Sequence, residues 1–240
     1  MRWTNKSLAK LTVRDGFRLR SESMTRLEVF SDTAFAFAMT MLVISVDSVP
    51  KNHDEMILAL KSIPAFALSF GNIAFFWWAH RSWSQRYGLE DRISTCLTLT
   101  MIFAILVYVY PLKLIFSSLF SFLTGGWLPN EYEIRVYTDH SSLFVIYGLG
   151  YALLTLIIYL LYCHALNRSD YLALDQKELN QTRISRICWA YHPVFGLASA
   201  AYAWLLPPKY GTFAGFVFFG LFVCVPLHKR VLLKKFNIAD

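Results

Sequence analysis

Long apolar runs that carry no charge, separated by short segments that gather the lysines and arginines, set the strongest limit on how this 240-residue chain can fold. Several of these runs exceed the ~18 residues at which an apolar segment reads as a membrane span rather than a buried core helix. Charged residues make up 16% of the chain and hydrophobic residues 56%, where a soluble domain carries about 25% charged residues. Disordered, collagenous and disulfide-scaffold classes are excluded on the same grounds, and a single soluble core is disfavoured. The first apolar run begins near Leu27, behind a long mixed polar leader, and no small-residue cleavage site follows Val49, so it does not read as a cleaved signal peptide. The reading is an all-α, polytopic membrane protein.

Chemistry-bearing motifs are scarce. Cys96, Cys163, Cys188 and Cys224 fall far apart in apolar segments and read as small buried hydrophobes, with neither zinc spacing nor a disulfide framework. No Walker loop, dinucleotide fingerprint or zincin motif occurs, and no cofactor is expected. The formal charge of +7 would suit a nucleic acid, but the basic residues flank hydrophobic segments, so membrane lipid is the expected partner and nucleic acid is not.

Six spans are expected, at residues 27–49, 56–79, 93–120, 143–166, 187–206 and 210–228. They divide the chain into a leader of residues 1–26, a six-helix domain of residues 27–228 and a basic tail of residues 229–240. Pro64 is expected to bend the start of the second span or mark its entry into hydrocarbon. Pro111 and Lys113 suggest a kinked or emerging end to the third, with the lysine stem snorkelling to the interface. Gly211, Gly215 and Gly220 suit close helix packing in the short sixth span, and Pro207-Pro208-Lys209 leaves room before it only for a tight hairpin.

Six spans place 18 of the 23 basic residues on one side. The leader holds seven, among them Arg18, Arg20 and Arg26, and the others lie between spans two and three, between four and five, and in the tail. The opposite loops hold only Lys51, Lys61, Arg135 and Lys209, so the positive-inside rule puts both termini in the cytoplasm. On the outer side, residues 125–140 read as a solvated connector with an interfacial Trp127, or as a cation-attracting mouth. On the inner side, residues 172–187 read as a short surface helix, and the leader as an amphipathic arm on anionic lipid or a flexible tail. No internal repeat supports a single-chain pore of inverted halves, so assembly from several copies is the natural alternative.

The informative polar residues sit at the inner ends of the first two spans. Arg26-Leu27-Glu28-Val29-Phe30-Ser31-Asp32 opens the first span and places a carboxylate well inside it, where an unpaired charge is costly. The second span ends Trp77-Trp78-Ala79-His80-Arg81 on the same side, so His80 or Arg81 is expected to reach Asp32, with Ser31 closing the network. That network either locks two helices together or takes part in gating or proton sensing. Farther along, Phe37, Met41, Ile44 and Ser48 share one helical face, with Thr40 beside it. Such a stripe is ordinary core packing or, with several copies around an axis, a stack of hydrophobic rings that gates by dewetting.

These residues resemble a known family. Arg26-x-x-x-Phe30-Ser31-Asp32 matches the first-helix motif of the transmembrane protein 175 family, the potassium channels of endosomes and lysosomes and their bacterial homologues. Ser69, Phe70, Trp77 and His80 match the second-helix pattern of the bacterial members. The single six-helix unit looks like the bacterial form, which assembles as a homotetramer, so a multi-pass protein of a bacterial inner or plasma membrane is implied. The resemblance also implies a potassium-permeable central pore lined by the first helix of each subunit. Phe37 then stands at the main constriction, Met41 and Ile44 form the next rings, and Thr40 and, secondarily, Ser45 are the ion-preference candidates. Arg26, Phe30, Ser31, Asp32, Trp77 and His80 would hold that helix against its neighbours, away from the pore.

Two residues depart from the family pattern. Phe37 stands where Ile or Leu is usual, and four such rings would narrow or block the axis. Arg81 replaces a second histidine, so the Asp32 network is expected to be more salt-bridged and less readily titrated. A passive potassium-permeable cation channel is the leading function. A secondary or proton-coupled transporter is disfavoured by the scarcity of intramembrane charge. A membrane enzyme is disfavoured because His164, His192 and His228 lie on different expected spans without close carboxylate spacing in the sequence. A non-conducting scaffold is kept open by Phe37.

Overall fold

A computed structural model describes Trp3, residues 5–21, 24–44, 50–130, Tyr132 and residues 137–236. The elements are α1 (Asn5–Leu8), a hairpin of β1 (Val13–Arg14) and β2 (Phe17–Arg18), α2 (Arg26–Ile44), α3 (His53–Lys61), α4 (Ile63–Tyr87), α5 (Arg92–Leu123), α6 (Tyr137–Asn167), α7 (Ser169–Leu172), α8 (Gln176–Leu205), a 3₁₀ segment (Pro208–Phe218) and α9 (Phe219–Lys235). The chain is an α-helical bundle with several apolar helices. Among the described residues, three helical stretches are long and apolar enough to cross a membrane: Arg92–Leu123, Ser141–Asn167 and Lys209–Lys235. The α3–α4 pair, bent by 40°, makes a fourth if it is one span.

The break in that pair falls at Ser62, which caps α3 and enters α4, with Pro64 in the first turn of α4 where its missing N–H costs nothing. The helix then runs eight residues past the expected limit at residue 79, to Tyr87. The expected surface helix of residues 172–187 and the fifth span are one continuous helix, α8, which starts at a reciprocal capping box between Asp175 and Glu178. In α5, Pro111 lies inside the helix and Lys113 is 4% exposed instead of snorkelling. The loop after α5 folds back on the helix's last turns: Ser117 Oγ donates to the Pro129 carbonyl at 3.2 Å and Ser118 Oγ to Asn130 at 3.0 Å.

The helices α6 and α8 pack most closely. A Cβ built on Gly196 would lie 2.9 Å from the Gly148 carbonyl oxygen and 3.0 Å from the Ala152 nitrogen, so the two backbones meet where only glycine fits. Beside them, Trp83 donates to the Leu161 carbonyl at 2.9 Å and Tyr87 to Thr182 at 2.8 Å, which ties the end of α4 to α6 and α8.

The leader is built into this end of the bundle. Asp15-Gly16, both with positive φ, form the two-residue turn that pairs Val13 with Arg18 and Arg14 with Phe17. Phe17 is buried edge-on against Tyr87, with ring centroids 5.4 Å apart. Gly88, at φ 54°, ends α4 where a Cβ would stand 2.9 Å from the Arg20 carbonyl oxygen. Leader residues 17–20 therefore lie against protein.

Candidate functional site

Helix α2 starts at a capping box read directly from Thr25-Arg26-Leu27-Glu28. The Glu28 amide donates to Thr25 Oγ1 at 3.2 Å, and the Thr25 amide donates back to Glu28 Oε2 at 3.1 Å. Ser31 is buried and its hydroxyl donates to the Glu28 carbonyl at 2.9 Å, which spares a polar group in the packed face.

From there the helix has two contrasting sides. Ser31, Phe35, Ala38 and Leu42, at spacings of four, three and four, are buried against the bundle. Phe37 is 55% exposed, and Thr33, Thr40 and Val43 are exposed with it. At 100° per residue, Phe37 is about 160° from Phe35 and about 100° from Ala38, and it points away from the core of its own subunit. Met41 is half-buried and packs against the core cluster, between the two sides. The Thr40 hydroxyl is turned back onto the Phe37 carbonyl at 2.7 Å. Ile44 is the last residue of α2, and Ser45 lies outside the described residues.

The buried side is anchored by a different pairing from the one read in the sequence. Asp32 Oδ1 accepts from the Trp77 indole N–H at 2.8 Å, while His80 is paired with Thr98 of α5 at 3.0 Å. Indole is a fixed donor that needs no titration, so it satisfies the carboxylate without bringing a second charge into the span. Arg81 lies over the Trp77 ring at 5.1 Å and His80 stacks obliquely on Phe35 at 6.3 Å. A cavity of about 200 Å³ joins Ser21, Glu28, Ser31, Asp32, His80 and Ser84. The structure thus brings Ser31, Asp32, Trp77 and His80 to one place, whereas Arg26 and Phe30 stay on the exposed side of α2.

Glu28 was not singled out from the sequence. It gathers donors from Ser21 at 3.0 and 3.1 Å, Ser84 at 2.7 Å and the Thr25 amide. The Thr-x-x-Glu spacing was the available signal for its capping role. The partners on α4 and in the leader had none. Among the described residues, no cluster of His, Cys, Asp and Glu is arranged to hold a metal.

The profile of the family described as endosomal/lysosomal potassium channel TMEM175 matches residues 26–111, from the motif arginine to the middle of α5. A protein of Marivirga tractuosa named a potassium channel is 31% identical over 176 residues, covering 71% of this chain and 71% of that one. The crystal structure of a variant of the potassium channel MtTMEM175, in complex with a nanobody fused to MBP, superposes with a TM-score of 0.80 at 26% identity. That superposition covers 93% of this chain and all of the other. The motif residues, their anchoring on α4 and these likenesses converge: the chain belongs to the TMEM175 family of potassium channels, a channel family and not an enzyme family.

Proposed function

We propose that this protein is a passive, potassium-permeable channel in which four copies place α2 around a central axis. Phe37 forms the narrowest ring, Met41 and Ile44 the rings beyond it, and Thr40 and Ser45 provide the first hydroxyls for an ion that passes. Six spans with both termini in the cytoplasm of a bacterium fit the distribution of basic residues. The observation that carries the reading is the two-sidedness of α2. Asp32 on Trp77 and the buried row of Phe35, Ala38 and Leu42 hold one side, which leaves Phe37 and Thr40 exposed on the other.

A ring of phenyl groups offers no oxygen to replace the ion's hydration shell, so conduction would be governed by wetting of the gap and not by carbonyl coordination. Selectivity for potassium over sodium would be modest. The test is cysteine substitution at Phe37, Thr40 and Met41 in protein reconstituted into liposomes. Water-soluble thiol reagents should block potassium flux from position 37 and 40 variants. Flux in the unmodified protein that no reagent alters at any of the three positions would place the ion path elsewhere. Absence of flux from a well-assembled tetramer would favour a scaffold.

A further inference from the structure

The Arg20 side chain and the Glu178 carboxylate are almost wholly removed from solvent, at 0% and 1% exposure. Arg20 Nη2 donates to Glu178 Oε2 at 2.7 Å and Nη1 to Oε1 at 3.2 Å, while Nε reaches the Leu172 carbonyl at 2.9 Å. The guanidinium fork is thereby locked into the elbow between α7 and α8. Its backbone is fixed as well, because the Arg20 amide donates to the Gln85 carbonyl at 3.1 Å. The next residue, Ser21, turns its hydroxyl onto both oxygens of Glu28 in the first turn of α2, and Ser84 of α4 donates to the same carboxylate. Two successive leader residues thus join the α7–α8 elbow to the start of α2.

We propose that residues 17–21 are a latch that positions α2, with Arg20 as its anchor and Ser21 as its tongue. The proposal rests on α2 lining the ion path. Phe37 is nine residues beyond Glu28, about 13 Å along the helix and half a turn around it. The latch therefore grips the face opposite the constriction and draws the start of α2 toward its own bundle, away from the axis. Its Ser21 also forms part of the wall of the cavity that Asp32 and His80 line. Arg20 and Ser21 touch no ion, and they act through the placement of the helix.

The test uses the full-length, reconstituted protein and two kinds of disruption. Ser21→Ala removes the tongue and leaves the anchor intact. Arg20→Met with Glu178→Gln removes the ion pair without leaving an orphaned buried charge and keeps an acceptor for the Asp175 amide that caps α8. In both, hydrogen exchange of the amides at residues 27–33 should accelerate at least about ten-fold while the centres of α6 and α8 keep their protection. Ser21→Thr, which retains the hydroxyl, should behave as wild type. Potassium flux per assembled channel should fall several-fold in the two disrupted variants, as α2 settles toward the axis. Unchanged exchange at residues 27–33 in folded protein, or acceleration spread evenly through the bundle, would overturn the latch. So would faster local exchange with undiminished flux in a conducting protein. A wild type that assembles but carries no flux would reject the channel reading instead, and the exchange measurement would still decide whether the latch exists.

Discussion

The indole N–H of Trp77 lies 2.8 Å from Asp32 Oδ1 and gives the half-buried carboxylate of α2 a neutral donor from α4. Such a pair fixes the relative rotation of two helices, because the indole donates along a single direction. Trp77→Phe should therefore lower stability by about 1–3 kcal/mol, the cost of leaving a buried polar group unsatisfied. Asp32→Asn retains the acceptor and should cost less. Thermal melts and the yield of assembled protein in detergent measure both. Equal stability of Trp77→Phe and wild type would show that water or another donor satisfies Asp32.

Phe37→Ala should leave subunit stability nearly unchanged, because the ring is 55% exposed and its removal opens no cavity in the subunit core. If the ring were core, the same change would cost about 3–5 kcal/mol. In a conducting tetramer the variant should raise the unitary current and reduce discrimination between potassium and sodium. Single-channel recording of well-assembled variant protein checks this, and an unchanged current would reject the constriction.

Gly196→Ala should destabilise by about 1–3 kcal/mol through overpacking, since the new Cβ would press on the Gly148 carbonyl at 2.9 Å. Gly71→Ala, in α4, is the control: nothing lies within 4 Å of its Cβ, and the gain in helix propensity is about 1 kcal/mol. Comparing the two melting temperatures separates a close helix crossing from a general intolerance of side chains.

Acid should loosen the end of the bundle that holds the leader. Burial pushes the Asp91 carboxyl up, but hydrogen bonds from the Ser94 amide and hydroxyl and from His164 outweigh it and hold the group below its ordinary 3.8. Asp175 behaves alike: burial opposes, and the Glu178 amide and Arg18 prevail. A carboxylate with a lowered folded pKa adds stability that is fully present above its ordinary value and is lost as pH falls through the lowered one. The contribution of these caps should therefore be level above about pH 5 and decline below about pH 4. Asp175→Asn keeps the cap acceptor without titrating, so its melting temperature should fall less steeply in acid. An acid limb as steep as that of wild type would remove Asp175 from the account.

The centres of the apolar helices were legible because hydropathy over some twenty residues is a local property. The motif was legible because its four residues stand at fixed spacings within about two turns of helix. The continuity of α8 was hidden by Lys177, Glu178, Arg183 and Arg186, which read as a separate surface segment, whereas Lys177 and Glu178 lie against the docked leader. The hairpin did have a signal, Asp15-Gly16, masked by the basic residues around it. The choice of Trp77 over His80 for Asp32, and of Thr98 for His80, depends on the rotation of α4 against α2 and α5, which no spacing within one helix encodes. Lys113 is buried with Val109 and Leu112 on the packed side of α5, and which side of a uniformly apolar helix is packed leaves no periodic trace in the sequence.

The contact between Arg20 and Glu178 joins residues 158 positions apart. During synthesis the leader leaves the ribosome long before its socket exists, and the fork cannot close until the α7–α8 elbow has been made. Arginine 20 must remain hydrated through the insertion of the earlier helices and surrender its water only when α8 arrives. The segment made before its socket is thus docked only after it, and its docking reports that the later helices are already present.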